Sequence, residues 1–86
     1  MTEDELQAIE RRCASAAAAP WRAWIEGRDH ESGSSFVRTG EADTAPNSSI
    51  DFSGATDADL EFIANARQDI PRLISEVRRL RAMSGE

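Results

Sequence analysis

Eighty-six residues with sixteen acidic and ten basic side chains, net charge −6, suffice for one small domain with a modest core. An acidic chain does not attach to nucleic acid by general phosphate attraction, so general nucleic-acid binding is not expected. A single cysteine and a single histidine exclude an internal disulfide and a structural zinc cluster, and the absence of any long apolar run excludes a membrane-spanning helix.

All ten basic residues are Arg. Abundant Ala and Arg without Lys points to a high-GC bacterial or bacteriophage genome. The acidic beginning lacks the basic region of a signal peptide, so the expected location is the host bacterial cytoplasm. The expected organisation is a single α+β domain over residues 1–86, with the following elements in chain order.

A first helix is predicted over residues 2–19. Thr2 and Glu5 have capping-box spacing, and Leu6, Ile9, Cys13 and Ala16 share one face. The alanine run at 16–19 favours helix, and Pro20 ends it.

Residues 21–53 read as short strands and loops. Trp21, Ala23 and Ile25 alternate with Arg22, Trp24 and Glu26, the period of a strand with one inward face. Trp21 and Trp24 therefore point to opposite faces. Residues 27–35 are a turn or loop, 36–39 a second strand ended by Gly40, 41–49 a loop, and 50–53 a third strand. Strands joined this closely form an antiparallel meander.

Residues 56–83 carry the strongest pattern. Ile63, Ala66, Ile70, Leu73, Val77 and Leu80 recur at spacings of three and four, an apolar seam that wants a partner surface. Pro71 interrupts this seam and disfavours helical geometry at Ile70, so two helices joined near 69–71, a kinked pair, are predicted. The seam also predicts a homo-oligomer held together through these helices.

No catalytic constellation emerges. His30 is the sole imidazole and lies in the predicted loop, while the carboxylates at 57, 59 and 61 suit a helix N-terminus without any metal. The chain reads as a non-enzyme without cofactor or metal. The candidate ligand-binding residues are Phe62 or Trp24 as a stacking surface, Asn65 for the polar edge of a base, and Arg67, Arg38 or Arg78 for phosphate. Each also has a plain structural role available: packing for the aromatics, solvation of a helix face for Asn65 and the arginines.

The ELQAIERRC helix, the Pro20-Trp21 junction and above all DADLEFIANARQDIPRLISEVRRLR together resemble the Ead-type early accessory proteins of lambdoid phages and prophages. The C-terminal match spans about a third of the chain. The resemblance implies a small non-enzymatic phage or prophage product and transfers no active site. A looser analogy runs to phage anti-defence proteins, such as the Thoeris inhibitors that trap cyclic ADP-ribose-like signals. The expected function is therefore sequestration of a nucleotide-type immune signal, a cyclic nucleotide or ADP-ribose derivative, at a subunit interface without catalysis. The alternative is an acidic protein-interaction module that binds and modulates a host protein.

Overall fold

A computed structural model describes residues 1–31, 33–40 and 48–85. The order is α1 (Glu3–Ser15), β1 (Trp21–Trp24), β2 (Phe36–Thr39), β3 (Ser48–Asp51) and α2 (Asp57–Met83). The strands form an antiparallel meander in the order β1-β2-β3, as the short connections require. The α+β class and the three-stranded sheet are as the sequence predicts.

Both helix starts are fixed by side chains. Thr2 accepts from the Glu5 amide while the Glu5 carboxylate accepts from the Thr2 amide, and Thr56 and Asp59 repeat the arrangement at α2. Each box satisfies amide groups that the first turn leaves unbonded and places negative charge at the positive helix end.

The predicted first helix is too long by four residues. Ala16 is already extended (ψ 164), and its amide closes the helix on the carbonyls of Arg12 and Cys13. Helix propensity loses here because Pro20 bars helical geometry at Ala19, and the chain must enter β1. The Ala17 carbonyl instead accepts from the Trp21 indole (3.1 Å) and from Arg67 Nε (3.0 Å).

The predicted pair of C-terminal helices is one continuous helix of 27 residues. Pro71 lies inside it, half-buried beside Glu10, Cys13 and Ala14 of α1. Its missing amide removes only the bond to the Arg67 carbonyl, and the helix on both sides is held by packing. The third strand is displaced by two residues: Ser48–Asp51 pair with β2 rather than residues 50–53. Most of the predicted 41–49 loop, residues 41–47, lies outside the described residues.

α2 is the spine. Its first half packs on the inner sheet face, where Ala23, Ile25, Val37, Leu60 and Ala64 form the buried core. The two alanines let helix and sheet approach closely. α1 runs antiparallel along the second half of α2, with Leu6 and Ile74 buried between them. Arg78 donates to Glu3 (2.8 Å) and Glu10 (2.7 Å) and ties the helices at their rim. The buried stripe, Leu60, Ala64 and Ile74, lies one position round from the predicted seam. Ile70, Leu73 and Leu80 of that seam remain 37%, 62% and 51% exposed.

β1 is an edge strand whose outward backbone groups need partners. Gln68 supplies those of Trp21: the Trp21 amide donates to its Oε1 (2.7 Å) and its Nε2 donates to the Trp21 carbonyl (3.1 Å). One side-chain amide thus acts as a one-residue extra strand and locks α2 to the sheet edge.

Candidate functional site

Strand alternation sends Ala23, Val37 and Ile50 to the inner face and Arg22, Trp24, Phe36 and Arg38 to the outer one. α2 covers only the inner face. The register sets the outer side chains in two rows: Arg22 opposite Arg38 opposite Ser49, and Trp24 opposite Phe36 opposite Asp51.

In the second row the Trp24 and Phe36 rings are parallel within 1°, with centroids 6.3 Å apart. His30 leans over both, 6.0 Å from Trp24 and 5.0 Å from Phe36. His30 does lie in the predicted loop between β1 and β2, but half-buried, with Nε2 3.3 Å from the Trp24 carbonyl and Nδ1 3.3 Å from Glu26. A tight turn carries it back. Gly27, at φ +82, permits its amide to donate to the His30 carbonyl at 2.8 Å.

In the first row two guanidinium groups stand on directly opposed residues, an arrangement that repels. Both rest on the Trp24 ring, Arg22 at 5.3 Å and Arg38 at 5.0 Å from its centroid, where the ring's negative face attracts them. Arg22 has weak help from Asp29 at 3.5 Å. Arg38 has no carboxylate within 4 Å among the described residues, and its Nε is buried without a hydrogen-bond partner. A buried charged donor left unpaired is costly.

Asp29 anchors the same edge. Its Oδ2 accepts from the Ile25 amide (2.9 Å) and from Arg28 (2.8 Å), and these bonds hold its carboxyl below the usual aspartate range, Arg28 contributing most. Arg28 also reaches Glu61 of α2 at 2.8 Å, and the two carboxylates push its own titration upward.

The six sequence-predicted ligand residues are not gathered at one place. Trp24 and Arg38 meet on the outer sheet face, 5.0 Å apart as measured above. Phe62 (75% exposed) and Asn65 sit on α2, across the sheet from them. The Asn65 amide donates to the Glu61 carbonyl at 2.8 Å, Arg67 is held by Ala17, and Arg78 is held by Glu3 and Glu10. Arg22, Phe36 and His30 are the members that sequence reasoning missed. The period-2 alternation already placed Arg22 beside Trp24; the pairing of β1 with β2 that adds Phe36 was not legible without register.

Among the described residues no group of three or more His, Cys, Asp or Glu side chains is placed to hold a metal ion, and no helix is long and apolar enough to cross a membrane. No family model matches this chain, and neither a curated protein nor a solved structure is significantly similar to it.

Proposed function

We propose that this protein is a non-enzymatic binding module that captures a phosphate-bearing, nucleotide-type ligand on the open face of its sheet. In the setting that the Ead-type resemblance supplies, it is a phage or prophage accessory protein that sequesters an immune signal. The observation that carries this reading is Arg38, a guanidinium backed by Trp24 whose buried Nε lacks a partner. Arg22 and Arg38 together offer two forks to one phosphate group, and the Trp24–Phe36 row supplies an aromatic floor for the ring beside it. The face also carries Asp51 and Glu26, so the reading rests on Arg22 and Arg38 standing on directly opposed residues there and not on the net −6 of the chain.

Calorimetry and thermal stabilisation against cyclic dinucleotides and ADP-ribose derivatives test this. Binding is expected for at least one phosphate-bearing ligand, and Arg38→Ala and Arg22→Ala should each weaken it about tenfold or more, the scale of a charge-assisted hydrogen bond. Asn65→Ala should leave affinity unchanged. Absence of heat and of stabilisation across the whole panel would contradict the proposal.

A further inference from the structure

α2 is covered from one side only along its second half. Where Ile74 lies beside Leu6 of α1, the adjacent ridge of Ile70, Leu73 and Leu80 stays open and borders an apolar groove of about 300 Å³ shared with Met1 and Ile9. We infer that this ridge and groove dock a second copy of the same chain, the two α2 helices crossing antiparallel about a two-fold axis.

Area is the first argument. A compact chain of 9.4 kDa exposes about 5000 Å², whereas this one exposes 5987 Å². The excess of about 1000 Å² is spread over the whole elongated chain, and among the described residues the apolar side chains of the ridge, Ile70, Leu73 and Leu80, contribute to it. The shape agrees: the chain extends 52 × 27 × 19 Å with a radius of gyration of 15.8 Å, against about 12 Å for a compact chain of this length.

Charge fixes the occupant and its direction. Arg67, Pro71 and Arg78 of α2 face α1, so the flank beyond the ridge is the one that carries Asp69, Arg72, Glu76 and Arg79. Their signs alternate, negative, positive, negative, positive. Laid against its own reversed copy, that row meets the opposite sign at every step; in a parallel pair it would face the partner's other flank and not this row. Within one protomer Glu76 and Arg79 pair with each other, whereas Asp69 and Arg72 form no ion pair among the described residues. Asp69 and Arg72 are therefore the members of the row whose charge is left for a partner, with Arg79 and Glu76 of the second copy shared between the two contacts. A two-fold contact of this kind is self-complementary by construction and closes at a dimer.

Sedimentation equilibrium at micromolar concentration should give twice 9.4 kDa. Leu73→Ser with Leu80→Ser, both more than half exposed in the protomer, should give the single mass with the helical circular dichroism retained. Asp69→Arg should weaken the dimer about tenfold or more, and adding Arg79→Asp should recover part of that loss, because the exchanged pair is again opposite in sign across the axis although the Glu76–Arg79 pair within each protomer is given up. A wild-type chain that sediments as one copy, including one that instead captures a foreign protein, would overturn the inference. So would a charge-exchanged double variant no better associated than Asp69→Arg alone. Binding of a nucleotide to the sheet face is independent of either result.

Discussion

At the scale of single residues, three side chains do work that the remainder of the chain depends on. Gln68 satisfies both edge groups of Trp21, so Gln68→Leu strands a half-buried amide and carbonyl. The expected loss is about 1–3 kcal/mol in a urea titration. Asp29 makes the β1–β2 turn sensitive to acid. Its carboxyl is held below the unfolded aspartate value of about 3.9, so its stabilisation is fully present above that pH and disappears as pH falls through the lower folded value. Melting temperatures of wild type and Asp29→Asn should therefore differ at neutral pH and converge as the pH drops below about 4. A constant gap down to strongly acid solution would show that the carboxylate's charge is not what the turn uses. Arg38 is the third: its guanidinium rests on Trp24, and its buried Nε lacks a hydrogen-bond partner.

At the scale of elements, the contest between local preference and packing decides what can be read in advance. The capping box at Thr2 is local and legible from its spacing, and the carboxylates after Thr56 mark the second helix start, although the Thr56–Asp59 box itself emerges only in the structure. The alternation of Trp21 to Ile25 is also local, and it assigns the two indoles to opposite faces as observed. Pro71 misleads because its own preference opposes helix while 27 residues of continuous packing favour it. The alanine run misleads in the other direction: its propensity is high, but Pro20 and the bonds onto Ala17 end the helix at Ser15. The seam is detected correctly as apolar, yet periodicity cannot say which of two adjacent stripes meets the sheet. Leu60 and Ala64 win because Ala64 is small enough to admit the facing strands. Since Pro71 costs a helical bond, Pro71→Ala should raise stability by about 1–3 kcal/mol, measured by thermal unfolding followed at a helical wavelength. A loss instead would mean that the ring's packing on α1 outweighs the missing bond.

At the scale of the whole molecule, the two candidate surfaces lie on different layers. The Arg22–Arg38 face is the outside of the sheet, and the Leu73–Leu80 ridge is the outside of the helical layer. The residues expected to line a single pocket at a subunit interface fall on these two layers, Trp24 and Arg38 on the sheet and Phe62, Asn65, Arg67 and Arg78 on α2. That division was not legible in the chain because it depends on where the sheet sits between them. It also makes the site testable without knowing the oligomeric state. The most direct measurement is backbone amide chemical-shift mapping by NMR during titration with ADP-ribose and a cyclic dinucleotide. The account predicts shifts concentrated at Arg22, Trp24, His30, Phe36 and Arg38, lost in Arg38→Ala. Shifts centred on Phe62 and Asn65 instead, or none with any phosphate-bearing ligand, would contradict it.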